Sequence, residues 1–181
     1  MFFLYYNTTY DSPLGRITLA CDGESLNGLW LEGQKYHGNI ALEMIPKDGF
    51  AVFDAARQWL SKYFAGKKPD ITTLPIAPFG GEFRQAVWKI LLEIPYGQVT
   101  TYGEIAKKLA VQTNRERISA QAIGGAVGHN PISIIIPCHR VVGARGNLTG
   151  YAGGIDKKVK LLEFEGADVS RLFVPKKGTA L

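Results

Sequence analysis

A run from Lys67 to Gly81 carries three prolines together with Asp70, Gly80 and Gly81, and it separates two stretches of chain with different hydrophobic patterns. Proline has no N–H to give to a ladder and clashes with the preceding turn of a helix, so neither a central strand nor a helix runs through such a segment. It is the best domain boundary in a chain of 181 residues, a length that allows one domain or two small ones. The division it gives is an α/β amino-terminal domain, residues 1–78, followed by a mostly α carboxy-terminal domain, residues 79–181.

Before the boundary, residues 2–10, 14–21 and 26–32 are rich in β-branched and aromatic side chains. Asp11-Ser12-Pro13 and Asp22-Gly23-Glu24-Ser25 separate them, which predicts an antiparallel meander. Val52, Ala55, Ala56, Trp59, Leu60, Tyr63 and Phe64 then fall on one helical face, with Gly66 as its stop. After the boundary, Phe83, Val87, Ile90 and Leu91 make a second helical stripe, closed by Ile94-Pro95-Tyr96-Gly97. Thr101 and Glu104 form a capping box ahead of Ile105, Ala106 and Leu109, and a further helix is expected from about Ile118 to Gly128. Two short helices joined by a turn in a basic region suggest a helix-turn-helix.

The last of these helices holds Gly124 and Gly125 in its interior, each costing roughly 0.8–1 kcal/mol relative to alanine. Ala120, Gly124 and Gly128 recur at helical spacing and give a face almost without side chains. Such a face fits either close packing against another helix or close approach of the helix to DNA.

Charge is unevenly distributed. Residues 82–181 carry fourteen Lys and Arg against eight Asp and Glu, while residues 1–81 carry seven against eight. That makes the second half a candidate polyanion binder, although ordinary solubility charge reads the same way. No apolar run approaches the roughly 20 residues that span a bilayer. The opening Met1-Phe2-Phe3-Leu4 lacks a basic leader, so a cytoplasmic protein with no membrane partner is expected. Cys21 and Cys138 are the only cysteines, and both are expected to be reduced.

Cys138 lies in Asn130-Pro131-Ile132-Ser133-Ile134-Ile135-Ile136-Pro137-Cys138-His139-Arg140-Val141-Val142. A thiol reacts as its thiolate, and at an ordinary pKa near ~8.5 little is ionised at neutral pH, so chemistry here needs an activating neighbour. His139 and Arg140 are the candidates. Neighbours in sequence point to different faces of regular structure, so a direct side-chain pair requires irregular backbone, which Pro131 and Pro137 supply. Ile134-Ile135-Ile136 between them is expected to be a short buried strand. A free cysteine in an apolar run is also commonly an inert core residue.

The whole string resembles the active-site signature of the O6-alkylguanine-DNA alkyltransferases, also called methylated-DNA–protein-cysteine methyltransferases. Phe83-Arg84-Gln85-Ala86-Val87-Trp88, Ile94-Pro95-Tyr96-Gly97-Gln98-Val99-Thr100-Thr101-Tyr102-Gly103 and Gly150-Tyr151-Ala152-Gly153-Gly154 are similar to further family segments in the same order, as are Ser12-Pro13-Leu14-Gly15 and Gly28-Leu29-Trp30-Leu31. The resemblance implies a ribonuclease H-like amino-terminal domain and a winged helix-turn-helix carboxy-terminal domain. It implies a suicide reaction in which an alkyl group leaves O6-alkylguanine for the protein's own cysteine after the nucleotide is flipped out of the duplex, with O4-alkylthymine left open as a second substrate.

Carried over residue by residue, the resemblance makes Cys138 the acceptor, His139 its base through a bridging water, and Glu165 the carboxylate that orients His139. Tyr102, the Val141 carbonyl, Tyr151 and the Ala152 N–H would hold the flipped base, with Asn130 as the hinge. The family docks the helix of Ala120, Gly124 and Gly128 in the minor groove, which makes Ala120, Gln121 and Gly124 DNA contacts with Arg115 and Arg117 near them, while Arg140 is a candidate for structure or phosphate contact. Double-stranded DNA is the implied partner, a monomer the implied state, and no cofactor is implied. The sequence departs from the family at Gln121, seventeen positions before Cys138, where an arginine commonly enters the vacated stack. Gln121 is expected to act as that wedge, with Arg115 or Arg117 supplying charge. A zinc site is not expected, since Cys21 and His37 are the only soft ligands before residue 82. The competing readings are a noncatalytic alkyl-damage-binding winged-helix protein, which the presence of Cys138 opposes, and a Cys-His hydrolase, which no further motif supports.

Overall fold

A computed structural model describes residues 4–35 and 44–175. The chain divides into two compact units, residues 1–79 with 131–135, and residues 80–130 with 136–181. The second unit therefore sends five residues, Pro131–Ile135, into the first.

In the first unit, β1 (Tyr5–Ser12), β2 (Gly15–Cys21) and β3 (Leu26–Leu31) form the expected antiparallel meander. The β1–β2 turn is only two residues long, and Gly15 closes it at a φ of +99° that a side chain would resist. The sheet is not purely antiparallel. β4 (Met44–Pro46) pairs parallel with β1, so the order is β3-β2-β1-β4 and the sheet is mixed. Three residues containing a proline carry too little pattern to register as a strand. Every residue of β3 is buried, and its free edge is covered: Leu26 bridges to Ile76 and Leu29 to Ile132, which removes the exposed ladder that invites foreign strands. A Cβ at Gly28 would lie 1.9 Å from the Trp30 ring, so glycine there lets the indole fold down over the strand.

Helix α1 (Ala51–Phe64) buries Val52, Phe53, Ala56, Trp59, Leu60 and Tyr63; of the expected stripe Ala55 and Phe64 are only half-buried, and Phe53 is added. Cys21 ends β2 in the core, where burial pushes its thiol pKa upward. His37 lies outside the described residues. Among the described residues no group of His, Cys, Asp and Glu could hold a metal ion, and no helix is long and apolar enough to cross a membrane.

The second unit holds α2 (Glu82–Leu92), α3 (Tyr102–Gln112), α4 (Ala120–Gly128) and α5 (Ile155–Phe164). Two short strands, β5 (Thr100–Thr101) and β6 (Val141–Val142), pair in parallel. The Thr101–Glu104 capping box at α3 is present in full. Helix α4 starts at Ala120 because Ser119, not an earlier residue, caps it by accepting from the Ala122 N–H. Trp88 in α2 donates its indole N–H to the Ala126 carbonyl at 2.9 Å and ties α2 to α4.

Two expectations for this region fail. Ile134-Ile135-Ile136 is buried but is a turn, not a strand, with Ile134 at a φ of +68°. The bare face of α4 is also rotated from the one read off the sequence. Ile123, Ala126 and Val127 anchor the helix in the core and carry Gly124 inward with them, so the exposed side is Ala120, Gln121, Ala122 and Gly125. A Cβ added at Gly125 or Gly128 would meet nothing within 4 Å.

Candidate active site

Pro137 sits at φ −81° and ψ +64°, and the Cys138 N–H donates to the Ile136 carbonyl at 2.8 Å. Those angles and that bond define an inverse γ-turn. It redirects the chain into a single 3-10 turn, Cys138–Arg140, that places three consecutive side chains inside the protein. The Asn130 amide donates to the same Ile136 carbonyl at 2.7 Å, which pins the turn from before the loop.

Glu165, the residue that ends α5, gathers the neighbours of Cys138. Its Oε1 lies 2.7 Å from His139 Nε2 and 2.9 Å from Arg140 Nη2, and its Oε2 accepts from Arg140 Nε at 2.8 Å and from the Gly97 N–H at 3.1 Å. Burial alone would push this carboxyl upward, but the hydrogen bonds from His139 and Arg140 outweigh it and hold it well below the usual carboxylate range. Glu165 is therefore ionised and can only accept, so His139 carries its proton on Nε2. Burial lowers the pKa of His139, against the pull of Glu165 and with help from the Arg140 and Lys158 charges, so the ring is neutral at pH 7. Its Nδ1 then presents a lone pair, and this buried atom has no hydrogen-bond partner among the described residues.

Arg140 spends its guanidinium inside the protein. Besides Glu165 it donates from Nη1 to the Ile94 carbonyl at 2.6 Å and lies over the Tyr96 ring. Of the two roles open to it, structure or phosphate contact, these contacts serve the first: three of its five N–H donors are committed inside the protein and the residue is buried. Gly97 is required on two counts: its φ is +75°, and a Cβ there would lie 2.7 Å from the Glu165 carbonyl oxygen.

Tyr102 opens α3, with its ring buried and its hydroxyl shared between the carbonyls of Thr149 (3.2 Å) and Gly150 (3.1 Å). Burial first, and negative charge at Cys138 second, push its phenol upward, so it remains a proton donor. Val141 and Tyr151 are buried and Ala152 is half-buried. The Val141 carbonyl accepts from Lys158 Nζ at 2.5 Å, and the same ammonium reaches the Thr149 carbonyl at 3.1 Å.

Lys158 was missed as a site residue. It is fully buried, and burial brings its pKa down to about 8 while charge at Cys138 pulls the other way. A signal was available: Lys158, Leu161, Leu162 and Glu165 fall at i, i+3, i+4 and i+7, so both charges lie on the apolar stripe of α5. A charge on a buried stripe needs a partner, and both find one here. Of the expected DNA-contacting residues, Arg115, Arg117, Ala120 and Gln121 are exposed, whereas Gly124 is buried.

Residues 5–78 match the family model described as 6-O-methylguanine DNA methyltransferase, ribonuclease-like domain, and residues 82–167 match the model for its DNA binding domain. The chain is 43% identical over 162 residues to a methylated-DNA–protein-cysteine methyltransferase of Haemophilus influenzae, covering 90% of this chain and 86% of that one. It is 45% identical over 157 residues to the protein of the same name from Mycobacterium bovis, covering 87% and 90%. Among solved structures, Mycobacterium tuberculosis OGT in complex with DNA superposes with a TM-score of 0.75 at 43% identity, over 93% of this chain and 94% of that one. With both domain models matched in order and the relatives matched over nearly their full length, the chain belongs to the 6-O-methylguanine DNA methyltransferase family.

Proposed function

We propose that Cys138 is the alkyl acceptor of a single-turnover DNA repair reaction and that His139, held by Glu165, is its base. The observation that carries this reading is the neutral, fully buried His139 next to Cys138 in the chain, whose Nε2–H is committed to Glu165 at 2.7 Å while the buried Nδ1 keeps its lone pair. The thiol proton passes through a water to Nδ1. The thiolate then attacks the alkyl carbon on guanine O6: an S–C bond forms, the O6–C bond breaks, and its electron pair enters the base. The Tyr102 phenol donates to the base as this charge develops, and the imidazolium returns its proton to solvent while guanine regains its ring proton. Because a thioether is a poor leaving group, each chain reacts once.

Duplex DNA is the partner, and the damaged nucleotide is flipped to reach a thiol that is 4% exposed. The exposed side of α4 carries Gln121 beside the small Ala122 and Gly125, which lets the helix backbone approach a minor groove about 6 Å wide. Gln121 fills the vacated stack, with Arg115 and Arg117 against the backbone. In the pocket, the second lone pair of the Val141 carbonyl, the Ala152 N–H and Tyr151 receive the base; Tyr102 must first release the Thr149 and Gly150 carbonyls. The protein acts as a monomer, and a reducing cytoplasm keeps its two thiols free.

Intact mass and peptide mapping after incubation with excess duplex carrying one O6-methylguanine test this. A gain of one methylene per chain on the Cys138 peptide, absent in Cys138→Ala, is the expected result. Tight binding with no change in mass would instead make the protein a damage-binding one.

A further inference from the structure

The chain leaves the second unit after Asn130, contributes Pro131–Ile135 to the first, and returns at Ile136, two residues before Cys138. Those five residues are firmly held within the first unit. The Leu29 N–H donates to the Pro131 carbonyl at 2.8 Å, and the Ser133 N–H donates to the Leu29 carbonyl at 2.9 Å. Gln34 adds a side-chain lock: its Oε1 accepts from the Leu31 N–H at 3.1 Å and from the Ser133 hydroxyl at 2.9 Å. The amide orientation follows from the chemistry, since a backbone N–H can only donate. Gln34 and Ser133 are both buried, so neither bond competes with solvent.

The next residue is strained. Ile134 has a φ of +68°, and the Ile135 N–H donates to the Ser133 carbonyl at 2.8 Å, which together make a γ-turn of the rare left-handed kind. A β-branched residue there is an outlier. Such strain persists only where the surroundings over-determine it, and it concentrates near functional groups. The Ser133 carbonyl that closes this turn belongs to the residue whose hydroxyl Gln34 holds. Between Ser133 and Cys138 the chain thus makes two γ-turns, the first held by Gln34 and β3, the second by Asn130.

We infer that Gln34 and Ser133 form a clasp that holds Ile134 in its strained turn and thereby sets the position of Cys138, which makes both of them positioning residues for alkyl transfer. Release of the clasp lets Ile134 relax toward ordinary backbone and shifts the chain entering Pro137. In-line displacement is sensitive to such shifts, since a misplacement of about 1 Å from a distant mutation can cost on the order of a hundredfold in rate. The clasp makes no contact with DNA in this account, so its loss should slow the chemistry and leave binding alone. This inference rests on Cys138 being the acceptor.

The test uses the full chain and four variants: Ser133→Ala, Gln34→Met, the double variant, and Gln34→Glu, which keeps an acceptor oxygen. Three quantities are measured: the methyl-transfer rate constant at saturating O6-methylguanine duplex, the Kd for that duplex in a Cys138→Ala background, and the modified peptide. We expect Ser133→Ala to lose about tenfold, Gln34→Met to lose at least as much because it also frees the Leu31 N–H, and the double variant to lose no more than Gln34→Met, because both singles remove the same Ser133–Gln34 bond. Kd should stay within about twofold, Gln34→Glu should recover most of the rate, and one methyl should still reach Cys138. Unchanged saturating rates in both singles, losses that multiply in the double, or a weakened Kd that accounts for the loss would each overturn the clasp. A parent protein methylated elsewhere than Cys138 would overturn the acceptor assignment and the clasp together, whereas a Cys138-methylated parent with unaffected variants overturns the clasp alone.

Discussion

Glu165 Oε1 and His139 Nε2 meet at 2.7 Å with both side chains fully shielded from solvent, so the carboxylate fixes which ring nitrogen carries the proton. The same carboxylate holds Arg140, so one residue sets both the tautomer of His139 and the anchoring of the loop that bears Cys138.

Glu165→Gln should therefore damage stability and rate together. It leaves the Arg140 cation buried without its counter-charge, a loss of about 3–5 kcal/mol when one partner of a buried pair is removed. The amide also no longer enforces Nε2 protonation. Thermal unfolding should report the first effect, and single-turnover methyl transfer at a temperature where the variant is folded should fall on the order of a hundredfold or more. A folded variant that transfers methyl at the parental rate would show that Glu165 is structural only.

Acid should destabilise the protein in two windows. His139 has a lowered folded pKa, so below its ordinary value near ~6.5 the unfolded chain binds a proton that the folded one refuses. Stability is full above that value and declines as pH falls toward the depressed one. Glu165 is also depressed, so its contribution is full above an ordinary glutamate value near ~4.3 and is lost as pH falls further. Urea midpoints taken from pH 8 down to pH 3 should show both declines, and His139→Gln should flatten the first. A parent whose midpoint is constant between pH 7.5 and 5 would contradict the neutral, buried His139.

Gly97→Ala tests how tightly the carboxylate is seated. The new methyl would meet the Glu165 carbonyl at 2.7 Å from a backbone φ of +75°, and strain of that backbone kind alone costs on the order of 1–3 kcal/mol. The melting temperature should drop and methyl transfer should slow, because Gly97 N–H and Glu165 Oε2 are pulled apart. Gly66→Ala is the control: its φ is +74° but its Cβ would meet nothing within 4 Å, so it carries backbone strain without the collision. Equal losses in the two variants would remove the close contact from the argument.

Gln121 is the position where charge is missing from the expected minor-groove wedge. Gln121→Arg should tighten binding to duplex and steepen the salt dependence of log K by about one unit of slope, as one added phosphate contact does. Gln121→Ala should slow repair of duplex several-fold while leaving alkylation by free O6-methylguanine unchanged, since the free base needs no flipping. Equal rates for parent and Gln121→Ala on duplex would eliminate the wedge.

Much of the site was legible in the chain because its residues are close in sequence or belong to local patterns. Cys138, His139 and the flanking prolines form one string and the Thr101–Glu104 capping box is a local spacing, whereas Glu165 was named only through the family resemblance, its place on the apolar stripe of α5 going unread with that of Lys158. The strand at Ile134–Ile136 was misread because a short apolar run carries no sign of φ. The side of α4 that faces solvent was also misread, since small residues mark several faces of that helix and only the core partners of Ile123, Ala126 and Val127 select one.

Periodicity and proline punctuation determined the helices and the break between two hydrophobic patterns, and the Cys138 string marked the candidate nucleophile, because each depends on residues within a few turns of one another. Tertiary structure alone decided that Arg140 is anchored on Glu165, that Lys158 lies buried against Val141 and Thr149, and that Ser133 is held by Gln34, ninety-nine residues away. Those assignments depend on which groups lose solvent together, and desolvation is a property of the packed chain that no local spacing encodes.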